Sequence, residues 1–373
     1  MVTHPQHNNL STEHIPGALS QAGHTAAAVF LGFVLVLGFF GNFLVLLVFS
    51  RFSGLRTPAN LLLVNISISD MLVCIFGTSL SFSASVRGRW LTGSYGCKWY
   101  GFSNALFGIV SLVSLALLSF ERYSVLLCKQ QSDSCQYRRA WLAVAASWLY
   151  SLVWTVPPLL GWSSYGLEGP GTTCSVQWHQ RTATARSYVS CLFVFCLLLP
   201  LVLMFFCYGK ILLAVRAVTG INSTYPDWRE GRVLLMVVTM VTGYLLCWMP
   251  YGVVAMLASF GRLGLVPPTA SLIPSLLAKT STVINPFIYV VLNSQVRKQE
   301  KLLQIKMTPT FISILQVSPA HDRVQLTSSA HPRKPLTAQQ QGDVASRSQH
   351  ANTGTKYSNA PVHVQRAAGP AWC

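Results

Sequence analysis

AAAVFLGFVLVLGFFGNFLVLLVF, residues 26–49, contains no charged side chain. As a helix rising ~1.5 Å per residue it reaches ~36 Å, more than the ~30 Å hydrocarbon layer of a bilayer. Blocks of the same kind recur along the chain, giving seven apolar spans at roughly 26–49, 59–86, 95–127, 140–162, 186–215, 232–260 and 268–292. Each is too long for a soluble core helix, and a transmembrane β-barrel would show short alternating segments instead. The sequence therefore predicts an all-α membrane protein, a seven-transmembrane helix bundle.

Composition agrees. Of 373 residues only 10% are charged, where soluble domains carry about 25%. The 27 Lys and Arg exceed the 10 Asp and Glu to give a net charge of +17, which invites a nucleic-acid reading. Their distribution weakens it: the basic residues sit at span ends and in the tail, not in a soluble run interleaved with aromatics. Residues 1–25 hold no Lys or Arg, and no positive n-region marks a cleaved signal peptide. Arg51, Arg56, Lys129, Arg138, Arg139, Arg216, Arg229, Arg232, Arg297, Lys298 and Lys301 weight one side. The opposite side carries fewer: Arg87, Arg89, Lys98, Arg181, Arg186 and Arg262. This bias predicts an extracellular N-terminus and a cytoplasmic C-terminus; the plasma membrane is the expected location.

The chain divides into an extracellular tail (1–25), the bundle (26–292), an amphipathic inner-leaflet helix (293–306) and a disordered cytoplasmic tail (307–373) rich in Ser, Thr, Gln, Ala and Pro. Of three glycosylation sequons, only Asn9 lies where a glycan can be added; Asn65 is inside a span and Asn222 is on the cytoplasmic side. There is no internal repeat, which disfavours a transporter built from duplicated halves.

Ionisable residues inside a span are costly and point to function. Among the acids only Asp70 lies deep in a span, and among the lysines only Lys279 does. Lys279 is about a dozen residues from either end of its span, ~18 Å of helix, too far for its stem to reach water. A buried ion pair is one reading; the sharper one is a desolvated amine that forms a Schiff base with an aldehyde. Five cysteines (Cys74, Cys191, Cys196, Cys207, Cys247) are in apolar spans, and Cys128, Cys135 and Cys373 face a reducing cytoplasm. Cys97 and Cys174 remain in oxidising surroundings, so a Cys97–Cys174 disulfide is expected to tie a loop across the outer mouth of the bundle.

These residues resemble the rhodopsin-like family of G-protein-coupled receptors, and within it the opsins, over about residues 26–300. Asn42, Asp70, Trp148 and Pro200 stand at the family's span markers. Glu121-Arg122-Tyr123 is similar to its D/E-R-Y motif, Cys247-Trp248-Met249-Pro250 to C-W-x-P, and Asn285-Pro286-Phe287-Ile288-Tyr289 to N-P-x-x-Y. Lys279, six residues before Asn285, stands at the opsins' retinal-binding lysine. The stretches 166–176 and 281–286 resemble the teleost multiple-tissue opsins and encephalopsin in particular.

The resemblance implies retinal as cofactor, 11-cis in the dark and all-trans after light, held by Lys279 as a Schiff base. Such a cation needs an anion. Visual opsins place one in span three at the position of Tyr100, which cannot be an anion at neutral pH. Glu168, six residues before Cys174, matches the loop counterion of non-visual and invertebrate opsins. Trp248 and Tyr100 are expected in the retinal pocket, and Pro250 is expected to kink span six.

Output is implied at the other end. Arg122 is expected to be latched by Glu230. Tyr208 and Tyr289 match tyrosines that swing toward this arginine, while Asn42, Asp70 and Asn285 form a polar relay with no metal assigned. Glu121, Tyr123, Pro286, Asn293 and Gln295 complete the coupling set. Opsins often read Asn-Lys-Gln after span seven; here Asn293-Ser294-Gln295 departs from that, and no cysteine ends the short inner helix. The expected partners are a heterotrimeric G protein of Gi or Go type, a receptor kinase and arrestin acting on the tail, and the bilayer. A bistable light receptor, not an enzyme, is the leading reading. A retinal photoisomerase is the alternative, disfavoured because an isomerase needs no output end.

Overall fold

The computed structural model describes residues 19–127, 133–219, 228–262 and 265–292. α1 (Gln21–Arg51) starts on Ser20, whose side chain accepts from Gly23 N, and forms span one. α2 (Pro58–Val73) starts on the Thr57 cap with Pro58 in the first turn, passes through a π-helical turn at Cys74–Thr78 and continues as α3 (Ser79–Arg87), together span two. Gly88 ends it at φ 66°, a left-handed conformation that suits a residue without a Cβ. Span three is α4 (Gly93–Leu127) and span four is α5 (Asp133–Thr155).

The strands β1 (Tyr165–Glu168) and β2 (Thr173–Val176) pair antiparallel in the connection to span five, with Glu168 opposite Thr173 and Leu167 opposite Cys174. Span five is α6 (Ala183–Cys191), a π-helical stretch at Leu192–Leu198 and α7 (Leu199–Thr219). α8 (Trp228–Phe260) and α9 (Leu272–Leu292) are spans six and seven.

Spans four and seven differ from the sequence reading. Span four was expected at 140–162, but Pro157 and Pro158 stop the α-helix at Thr155 and leave only a 3₁₀ turn, Pro157–Leu159. Its other end begins earlier, at Asp133, because hydropathy marks what lipid tolerates and a helix can extend past it. Span seven loses its first residues to a 3₁₀ turn, Pro268–Ser271. Six spans are long and apolar enough, among the described residues, to cross a membrane by length and composition.

The helices surround α4, which packs against spans two, four, five and six. Leu62, Ile66, Leu115, Met204 and Met240 fill the interior, while Phe33, Phe40, Leu149 and Phe205 stay exposed on faces suited to lipid. At this depth all backbone groups must be paired within the helices, which is why helix is obligatory here. Alternate ends of the bundle gather different features. The β-hairpin covers one end, and the Cys97–Cys174 disulfide fixes β2 to the start of α4, with Cα atoms 5.5 Å apart. Arg122 lies near the opposite end of α4.

Candidate functional site

Beneath the hairpin lies a cavity of about 230 Å³. α4 supplies one wall with Tyr100, Asn104 and Gly108, one helical turn apart on a shared face. α8 supplies Tyr244, Trp248 and Tyr251, α9 supplies Ala278 and Lys279, and the hairpin supplies Glu168 and Thr173. Most of the wall is aliphatic or aromatic, with few polar groups converging on it, the usual build of a small-molecule site.

Lys279 is half-buried, and its Nζ lies 5.6 Å from the centroid of the Tyr100 ring, a cation–π arrangement. Tyr100 is itself buried. Its hydroxyl hydrogen-bonds Ser81 of span two and accepts from Thr173 Oγ1 of the hairpin at 3.3 Å. Among the described residues no acid comes within ion-pairing distance of Lys279.

Glu168 is 4% exposed and faces the cavity from the end of β1. Tyr251 Oη donates to its Oε2 at 3.2 Å, while Oε1 makes no aligned hydrogen bond. Burial pushes its carboxyl up to about 7, against the pull of Ser175, the Lys279 charge, Tyr251 and Ser271. A buried carboxyl and a half-buried amine lining one cavity suit an aldehyde-derived cation. The residues present fit retinal.

Trp248 is held from three sides. Its Nε1 donates to Ser281 Oγ at 3.1 Å, and its ring stacks on Tyr244 at 5.6 Å. A Cβ at Gly108 would stand 3.1 Å from the ring, so the glycine makes the room.

Below this lies the polar group. Asn285 Nδ2 donates to Asp70 Oδ2 at 2.7 Å. Asn42 does not bond to Asp70; its amide donates to Gly38 O at 2.8 Å and Thr282 O at 2.9 Å, fastening span one to span seven. Tyr289 is buried and its hydroxyl has no partner among the described residues.

At the far end Arg122 Nε lies 2.8 Å from Glu121 Oε2. Tyr208 Oη and Ser119 Oγ share a hydrogen bond at 3.0 Å, and the Tyr123 ring lies 5.8 Å from that of Phe206. The side chain of Glu230 falls outside the described residues, as do Asn9, Asn293, Gln295 and the tail. The expected Arg122–Glu230 pair thus lies beyond them.

Sequence reading missed Tyr251 and Ser281. Tyr251 had a signal: it lies three residues after Trp248, on a shared helix face. Ser281, two residues after Lys279, is off that residue's face and had none.

A family model described as 7 transmembrane receptor (rhodopsin family) matches residues 41–289. The chain is 38% identical to Opsin-3 of Mus musculus over 330 residues, covering 87% of this chain and 80% of that protein. It is 40% identical to pinopsin of Columba livia over 275 residues, 73% of this chain and 78% of that protein. Squid rhodopsin matches in three dimensions with a TM-score of 0.70 at 30% identity, covering 82% of this chain and 90% of the squid one.

Proposed function

The chain belongs to the rhodopsin family of seven-transmembrane receptors, as an opsin similar to Opsin-3, and from that premise we propose that it senses light through retinal bound to Lys279 as a Schiff base and signals to a heterotrimeric G protein of Gi or Go type. One observation carries the reading: Lys279 and the buried Glu168 line a single, largely apolar cavity that also contains Trp248. Retinal, when bound, supplies the absorption and the light-driven change of shape, 11-cis to all-trans.

The chain's own residues do the rest. Glu168 supplies the negative charge that lets a cation persist at Lys279, and Tyr251 stabilises that charge by donating to it. Tyr100 offers its ring to the positive end. Trp248 stands where a change of ligand shape meets α8, and Pro250, two residues further on, weakens the helix there. A small displacement at Trp248 becomes a larger one at the Arg122 end. There Glu121 holds Arg122 in the resting state, with Glu230 as its second acid, and Tyr208 and Tyr289 take the arginine over on activation.

The hairpin end is extracellular, the Arg122 end cytoplasmic, and the membrane is the plasma membrane. Residues 1–25 carry a glycan on Asn9, 293–306 lie on the inner leaflet, and 307–373 meet receptor kinase and arrestin through Ser313, Ser328, Ser329, Ser346 and Ser348. The pigment would be bistable.

The test is a dark-minus-light spectrum of purified protein reconstituted with 11-cis-retinal, repeated on Lys279→Ala. A light-sensitive visible band present only with Lys279 supports the reading. No band in the wild type refutes it.

A further inference from the structure

The hairpin end of α8 is held by groups that light sensing, as set out above, does not use. Gly261 N donates to Leu257 O at 2.8 Å and closes the helix, after which the remaining terminal carbonyls lack helical partners. Two arginines take them. Arg181 Nη2 donates to Gly261 O at 2.8 Å, and Arg186 Nε donates to Ser259 O at 3.1 Å. The Arg186 guanidinium also lies 5.8 Å from the centroid of the Phe260 ring. Ser259 is fully buried, and its hydroxyl donates to Trp178 O at 3.0 Å. Among the described residues neither arginine pairs with an acid. Their charge is placed instead at a helix C-terminus, where the macrodipole favours a cation.

What these contacts hold matters for the cavity. Pro250 removes a rung from the hydrogen-bond ladder of α8, so the turns after it are not rigidly governed by the turns before it. Those turns line the cavity through Tyr251, Gly252, Ala255 and Met256. Tyr251 is also the donor to Glu168. Trp178, which receives the Ser259 hydroxyl, packs edge-on against Tyr251 with ring centroids 4.6 Å apart.

The anchoring side is firm. Trp178 and Arg181 lie two and five residues beyond β2, which the disulfide fastens to α4. Arg186 lies in the first turn of α6, whose Thr182 cap accepts from Ala185 N at 3.2 Å. A segment anchored to spans three and five therefore reaches over the tip of span six and grips its backbone.

We infer that Arg181 and Arg186 are positioning residues that strap the hairpin-end half of span six over the cavity, holding Tyr251 on Glu168 and keeping water from Lys279. Because the acceptors are backbone carbonyls, only the arginines can be altered to release them. The role assigned at Lys279 rests on the reading of the cavity as a retinal site; the strap itself does not.

The experiment has two arms, both on the full chain in lipid nanodiscs. Without retinal, amide hydrogen exchange is followed by mass spectrometry in wild type, Arg181→Gln/Arg186→Gln and Arg181→Lys/Arg186→Lys. Peptides covering residues 251–262 should exchange at least about fivefold faster in the Gln pair, with the Arg122 end of span six unchanged. The Lys pair, which keeps a charged donor at each position, should recover most of the protection. With 11-cis-retinal, hydroxylamine in the dark should remove the visible band about tenfold faster from the Gln pair than from wild type.

Unchanged exchange would overturn the strap, whatever retinal does. Faster exchange with an unchanged hydroxylamine rate would overturn the shielding of Lys279. A wild type that exchanges slowly but takes up no retinal overturns the retinal reading and leaves the strap standing. Should the Gln pair fail to fold, the two single substitutions, each leaving one tether, are read against the same outcomes.

Discussion

Replacing Glu168 by Gln removes a charge while keeping shape and hydrogen-bonding capacity, so its effects isolate electrostatics. In the protein without retinal, burial moves this carboxyl from 4.5 to about 7. That shift of roughly 2.5 units corresponds to about 3 kcal/mol at 1.36 kcal/mol per unit, an order-of-magnitude figure for the cost of ionising Glu168 in the cavity. The sign follows from linkage. A carboxyl whose folded value is raised stabilises the fold fully below pH 4.5, and that stability is lost as pH rises toward 7. The contribution of Glu168 to the stability of the retinal-free protein should therefore be smaller at pH 7 than at pH 4.5, and Glu168→Gln should remove that part of the pH dependence. With retinal the same carboxylate meets a cation, and an opposite charge within ~4–6 Å is worth about 1–3 pKa units. Losing it should lower the Schiff base by that amount and move the absorption to the near ultraviolet at neutral pH. Added chloride should restore part of the visible band by supplying an anion. Tyr100→Phe should change the spectrum much less, because the phenol contributes hydrogen bonds and a ring face but no charge. The assays are pH-dependent thermal denaturation by scanning fluorimetry and absorption spectroscopy of the purified pigment. A Glu168→Gln pigment that stays visible at neutral pH without added anion would refute the electrostatic reasoning and place the counterion elsewhere.

Lys279→Ala should still reach the membrane but yield no retinylidene absorbance after acid trapping; an adduct in that variant would move the attachment site. Cys97→Ser and Cys174→Ser should lower surface expression to the same extent, and the double variant should be no worse, because all three break one bridge. Additive losses would indicate separate roles in the cell. Glu230→Gln should raise G-protein activation in darkness, whereas Arg122→Ala should abolish activation with the spectrum intact; unchanged dark activity in the first would reduce Glu230 to a surface acid. Two sequential flashes at different wavelengths should drive the pigment forward and back, and release of free retinal within minutes would end the bistable reading.

The seven spans were legible because lipid leaves the backbone no choice but helix, so length and apolarity alone report it. Span limits were less legible wherever proline chemistry overrode hydropathy, as at Pro157 and Pro158, or where the helix continued past the apolar block, as at Asp133. The hairpin escaped notice because each strand is four residues long, too short for alternation to stand out. The resemblance to opsins singled out Lys279, Glu168 and Trp248, and all three line one cavity. It could not disclose Tyr251 as the donor to Glu168, since 83 residues separate the two. Arg181 and Arg186 were the least legible. Their acceptors are backbone carbonyls 80 and 73 residues away, and a carbonyl leaves no mark in a sequence.

The placement of the acid has a mechanical consequence. A carboxylate on span three would sit on the central helix of the bundle, insulated from motion elsewhere. Here that position holds Tyr100, tied to span two and to the hairpin, while Glu168 sits on β1. The hairpin is fixed to α4 by the disulfide, but one of the donors that favours ionisation of Glu168 comes from α8, at Tyr251. Trp248 and Tyr251 are one turn apart on α8, on either side of Pro250. A displacement of this helix at Trp248 that draws Tyr251 away from Glu168 removes a hydrogen bond to the charged form and raises the carboxyl further toward neutrality. Glu168 on β1 and the proposed lever at Trp248 on α8 are thus linked through Tyr251, whose contacts set how strongly one follows the other.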